Sequence, residues 1–269
     1  MRSNLTKILG ACCRIGQPKL GVEKASLILK NVLNHEIEEI HNFDDEGNGY
    51  FDLYSKVALN MELYERVITI GGDHSIALST CSAVNEYYNI RREKLKIVWI
   101  DAHADLNTES SSKTKNTHGM PVASLLGHES FFGFPFIDPS QLIYIGLRDV
   151  DLYEQFIIDM YDIENYTSEE VHEYGIDSIL DSIEDDCENI HISFDVDSLD
   201  PIHFQSTGTP VENGLTLDQV WNIFHRLEPY TRSIDFVEFN PMLTDKKTSY
   251  LESKLLGDYI KYFIEGGKN

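Results

Sequence analysis

The sequence predicts an α/β fold: a three-layer α/β/α arrangement around a mostly parallel sheet. Three observations predict it. Short β-branched or apolar runs recur along the whole chain, segments of helical period separate most of them, and no Pro- or Ser-rich linker divides the 269 residues. Parallel strands need crossover connections, so alternating strand and helix signals place helices on both faces of one sheet.

In chain order the strand-like runs are residues 5–9, 66–70, 95–100, 141–145, 190–194 and 233–239, and clear helical periodicity covers 76–88, 168–184 and 217–227. The acidic, Gly-containing stretch 42–50 reads as a surface turn, and the Ser/Thr/Lys-rich stretch 108–117 as a loop beside chemically loaded segments. With no repeat and no linker, residues 1–269 are read as a single domain.

Hydrophobic residues at 42% and charged residues at 25% fit an ordinary folded chain with a sizeable core. The formal charge of -23 opposes partnership with nucleic acid or an anionic membrane and favours a small cation. Cys12, Cys13, Cys81 and Cys187 form no CxxC pair and are too sparse for a disulfide framework, so free thiols are expected. The N-terminal stretch lacks an extended apolar region with a cleavage site, and the chain is read as cytoplasmic.

Ligands of open parallel sheets bind beyond the carboxyl ends of the strands. The segments there are polar: Gly71-Gly72-Asp73-His74-Ser75 after the second run, Asp101-Ala102-His103-Ala104-Asp105 after the third and Asp195-Val196-Asp197 after the fifth. Alone, Gly-Gly-Asp-His also reads as a strand-to-helix turn capped by Asp73, and Asp-Val-Asp as a pair of loop carboxylates. In an extended segment, the spacing by two of Asp101, His103 and Asp105, and of Asp195 and Asp197, points side chains one way. Carboxylates so clustered raise one another's pKa unless a cation sits among them. His74, Asp101, His103, Asp105, Asp195 and Asp197 give four carboxylates, two imidazoles and no thiolate, a donor set suited to Mn²⁺. Six ligands exceed the need of one ion, so two ions roughly 3.5 to 4 Å apart are expected.

These motifs resemble the arginase (ureohydrolase) family, whose signatures are GGDHS, DAHxD and SxDxDxxDP, the last standing here as Ser193 through Pro201. Residues 16–23, 207–210 and 237–241 also resemble the family's N-terminal loop, active-site loop and last strand, so the likeness runs from about residue 5 to 260. The resemblance implies a single domain with an eight-stranded sheet, and trimers or hexamers. It further implies two Mn²⁺ per subunit, one held by His74, Asp101, Asp105 and Asp195, the other by His103, Asp101, Asp195 and Asp197. Asn107, Thr114, Asn116 and His118-Gly119-Met120-Pro121-Val122 match the arginase substrate loop, which grips an α-carboxylate, and Asp151 matches the residue that serves the α-amino group. Thr209 belongs to the resembling active-site loop. At position 115 the family generally carries Gly, where this chain has Lys115.

The expected reaction is hydrolysis of L-arginine to L-ornithine and urea by a hydroxide bridging the two ions. Asp105 would pass its proton to the leaving amine, His118 would shuttle protons to solvent, and Glu238 would hold the guanidinium. The competing readings are an agmatinase or another guanidino or formimino hydrolase, a catalytically silent member acting as a regulatory partner, and a single-metal deacetylase related by fold.

Overall fold

The computed structural model describes residues 3–186 and 188–267. Its eight strands are β1 (Ser3–Ala11), β2 (Glu38–Ile40), β3 (Tyr64–Ile70), β4 (Lys96–Ile100), β5 (Leu142–Leu147), β6 (Glu164–Thr167), β7 (Ile190–Asp195) and β8 (Thr231–Val237). The helices are α1 (Ala25–Leu33), α2 (Asn48–Leu63), α3 (Ala77–Arg91), α4 (Pro121–Leu125), α5 (Leu152–Tyr161), α6 (Ser168–Tyr174), α7 (Ile176–Asp186), α8 (Leu217–Leu227) and α9 (Lys246–Ile264).

The strands join in one sheet of order β2-β1-β3-β8-β7-β4-β5-β6, and every neighbouring pair is parallel. Strands buried on both faces must be apolar throughout rather than alternating. Ile97, Val98, Trp99 and Ile100 of β4 meet that demand, each fully buried. One core lies on each face. Ile68, Val98, Ile192 and Ile234 pack with α1, α7, α8 and α9, whereas Val67, Ile97 and Trp99 pack with α2, α3 and α5.

Four features depart from the sequence reading. The helix expected over 168–184 breaks at Gly175, whose φ of 82° suits a residue without Cβ, and becomes α6 and α7. The strand expected over 233–239 starts at Thr231 and stops at Val237, leaving Glu238 and Phe239 beyond its end. The stretch 42–50 turns only as far as Gly47. Gly47 is the N-cap of α2, the Asp44 side chain in the turn before it accepts from Asn48 N at 3.0 Å, and Tyr50 is buried within that helix. Finally, the short strands β2 and β6 were not among the expected runs. Cys12, Cys13 and Cys81 are free thiols, and Cys187 lies outside the described residues. Among the described residues no helix is long and apolar enough to cross a membrane.

Candidate metal centre

The four central strands β3, β8, β7 and β4 deliver the polar segments to one end of the sheet. After β3 the chain turns at Gly72, where a Cβ would lie 1.6 Å from the Cys13 carbonyl oxygen, so only glycine fits. His74 follows in a 3₁₀ turn capped by Asp73, which accepts from Ser75 N at 3.1 Å and from Gly16 N at 2.8 Å. The capping role that the sequence allowed for Asp73 is therefore present, and it fixes the turn that aims His74.

The spacing by two works differently from the extended geometry expected. β4 ends at Ile100, and the Asp101 carboxylate folds back to accept from His103 N at 2.8 Å. Asp105 takes a left-handed φ of 50°. Asp195 closes β7 and caps a 3₁₀ turn by accepting from Asp197 N at 2.7 Å. Turns rather than strand alternation thus bring these side chains together.

His74 Nδ1 stands 3.0 Å from Asp101 Oδ2, 3.0 Å from Asp105 Oδ2 and 3.4 Å from Asp195 Oδ2. His103 Nδ1 stands 3.4 Å from Asp101 Oδ1 and 3.2 Å from Asp197 Oδ2. Two groups result, His74-Asp101-Asp195 and His103-Asp101-Asp197, with Asp101 common to both. The His74 Nδ1 atom is buried and makes no hydrogen bond despite three neighbouring oxygens. Burial, with Asp197 and Asp101 nearby, pushes the Asp195 carboxyl well above its ordinary range. Burial and Asp101 likewise push Asp105 up to about 6. Both features fit divalent cations among the oxygens, since a cation gives the imidazole a partner and relieves carboxylate repulsion.

Residues to which the sequence gives no role of their own orient the ligands. Ser193 Oγ lies 2.8 Å from His74 Nε2, and Trp99 stacks on the imidazole with ring centroids 4.1 Å apart. The indole Nε1 also donates to Asp101 Oδ2 at 3.0 Å. Arg148 donates to the carbonyl oxygens of Gly146, Asp197, Ser198 and Val211, tying the end of β7 to the following loop. Ser193 stands inside a recognised motif, but nothing in a linear sequence joins Trp99 to His74.

A cavity of about 130 Å³ opens above the centre, lined by His103, Asp105, Asp195 and Asp197 below and by Asn107, His118, Asp149, Asp151, Glu154 and Thr209 around it. Asn107 Nδ2 donates to Asp151 Oδ2 at 3.2 Å, and Lys113 Nζ donates to Asp151 Oδ1 at 3.0 Å. Thr209 Oγ1 donates to Asp197 Oδ2 at 2.9 Å. Thr114 and Asn116 do not line the cavity; Thr114 is exposed, and its hydroxyl accepts from Asn116 N at 3.3 Å. Glu238, with a left-handed φ of 63°, is buried, and its Oε1 lies 2.9 Å from His118 Nδ1 while accepting from His74 N at 2.9 Å. Burial lowers the His118 pKa, but Glu238 beside it prevails and raises it to about 9. Glu154 went unnamed although Asp151 and Glu154 carry the spacing of a helix capping box. Glu154 accepts from Asp151 N and Leu106 N, and burial pushes it up to about 7.

Sheet and site together define a parallel α/β protein with a carboxylate- and imidazole-lined candidate metal centre at the carboxyl ends of its central strands. The family model that describes the Arginase family matches residues 14–261. The arginase of Coccidioides posadasii is 33% identical over 273 residues, covering 85% of this chain and 84% of that protein. The arginase structure from Bacillus subtilis superposes with a TM-score of 0.86 at 28% identity, covering 98% and 99% of the two chains. The Entamoeba histolytica arginase in complex with L-ornithine gives 0.85 at 28% identity, covering 99% of each. The chain belongs to the arginase family.

Proposed function

We propose that this protein hydrolyses L-arginine to L-ornithine and urea. The observation that carries the reading is the charge of the cavity: a buried metal-type cluster on one side, and the accessible carboxylates of Asp149 and Asp151 on the other. A substrate with a guanidinium at one end and an ammonium at the other matches both sides.

His74, Asp101, Asp105 and Asp195 would hold one divalent cation, and His103, Asp101, Asp195 and Asp197 a second, which we take to be Mn²⁺ from the oxygen and nitrogen donors. When bound, the pair supplies a nucleophilic water near neutral pH. The chain's own groups do the rest. Glu238 stays ionised because His118 offsets its burial, and its carboxylate would receive the guanidinium. Asp105, whose Oδ2 lies 3.0 Å from His74 Nδ1 at the edge of the cluster, would accept a proton and hand it to the departing side-chain nitrogen as the C–N bond breaks. His118, at the cavity wall with 17% of its side chain exposed, would carry protons between that nitrogen and solvent. Asp151, oriented by Asn107, would take the α-ammonium, while Thr114 and Asn116, which stand outside the cavity, are assigned to the α-carboxylate only by the likeness of their loop to the family's. Thr209, hydrogen-bonded to Asp197, would border the substrate. We take the chain as one catalytic domain that assembles as a trimer or hexamer in the cytoplasm.

Agmatine is the second reading, favoured by one contact: Lys113 already occupies one oxygen of Asp151. Urea release from L-arginine and from agmatine, by Mn²⁺-loaded protein with a chelated control, separates the two. Metal-dependent urea from arginine is expected. Urea mainly from agmatine would overturn the substrate assignment, and no urea from either would overturn the reaction.

A further inference from the structure

Three side chains at the outer part of the sheet have no part in the proposed reaction. Cys12 follows the end of β1, while Glu39 and His41 stand at the end of the edge strand β2. Pairing continues past the strand, with Cys12 N donating to Ile40 O at 2.9 Å, and this sets Cys12 beside the residues on either side of Ile40. One donor atom from each of Cys12, Glu39 and His41 lies within 4.8 Å of the other two. His41 Nε2 is 3.5 Å from Glu39 Oε2. The other carboxylate oxygen, Glu39 Oε1, is shielded from solvent and has no hydrogen-bond partner. Among the described residues, Cys12 Sγ has one weak hydrogen-bond partner, Ser26 Oγ at 3.6 Å. None of the three lines the catalytic cavity.

An ion bonded tetrahedrally to nitrogen and oxygen at about 2.0–2.1 Å sets those donors roughly 3.3 Å apart. The 3.5 Å found between His41 and Glu39 is close to that spacing. A thiolate bonded at about 2.3 Å completes three corners, and the Cys12 sulfur lies within 4.8 Å of both other donors. The donor set also differs in kind from the catalytic one. Sulfur with one imidazole and one carboxylate selects zinc-like ions, whereas Mn²⁺ prefers oxygen-rich sites.

We propose that Cys12, Glu39 and His41 form a separate mononuclear site for a zinc-class divalent cation, with a water or external ligand in the fourth position. The ion would tie the three-residue edge strand β2 to β1. The site is independent of the substrate assignment.

The test uses the full chain loaded with Mn²⁺, freed of excess metal and titrated with Co²⁺. The catalytic ligands include no sulfur, so a near-ultraviolet sulfur-to-cobalt charge-transfer band reports only a thiolate site. One equivalent per chain is expected to produce the band, and Zn²⁺ to displace it. Cys12→Ser should abolish the band, and His41→Ala should weaken binding by about tenfold or more, both with unchanged circular dichroism. No band in the parent protein, a band that survives in Cys12→Ser, or unaltered affinity in His41→Ala would each overturn the proposal.

Discussion

Asp105 and Glu238 both hold left-handed backbone, which costs about 1–2 kcal/mol for a residue other than glycine. Asn tolerates this conformation at least as well as Asp, so Asp105→Asn separates charge from shape. Activity should fall by about 10²-fold or more, while the melting temperature of chelated protein stays the same or rises because one buried carboxylate is gone. A variant that melts much lower would mean that the Asp105 charge supports the fold. Lys115 offers the reverse case. Its φ of 64° is the conformation for which the family's glycine at this position is suited, so Lys115→Gly relieves strain at an exposed loop. A gain of about 1 kcal/mol, read as a rise of roughly 2–4 °C in Tm, is expected. A fall in Tm would show that the Lys115 side chain contributes more than its backbone costs.

The elements that position the site are the ones most readable from sequence. β3, β4 and β7 are rich in β-branched and aromatic residues, are buried through their last four or more positions and run into charged motifs, so their runs stand out. β2 and β6 are short and carry Glu38, Glu39 and Glu164 at the sheet's two edges, where charge discourages pairing with other chains and erases the strand signal. The left-handed turn at Glu238 was hidden because apolar residues continue past Val237 on both sides of it. One pairing of central strands also carries a pH signature. His191 of β7 and Asp235 of β8 are fully buried with Nε2 and Oδ2 3.3 Å apart. Burial lowers the His191 pKa, but Cys81 and Asp235 outweigh it and push it up to about 10, above the value near 6.5 expected in an unfolded chain. The stabilisation is therefore complete below about pH 6.5 and is lost as pH rises through about 10. The stability difference between the parent protein and His191→Gln, from urea denaturation, should shrink over that window; a constant or widening gap would sink the ion-pair account.

At the scale of the molecule, a chain of formal charge -23 carries a cavity bordered by the accessible carboxylates of Asp149 and Asp151. A cationic substrate is drawn to such a field, and salt screens the attraction. kcat/KM for L-arginine should fall several-fold between about 20 and 200 mM salt with kcat unchanged, and an equal value at both would remove steering from the account. The left-handed residues at the strand ends have one more consequence, which concerns descent rather than catalysis. Asp to Asn and Glu to Gln are each a single base change, and both amides suit the backbone at Asp105 and Glu238 at least as well as the acids do. A gene copy could thus lose its chemistry in one mutational step while encoding a chain that folds as before, leaving selection free to keep it for whatever its surface contacts.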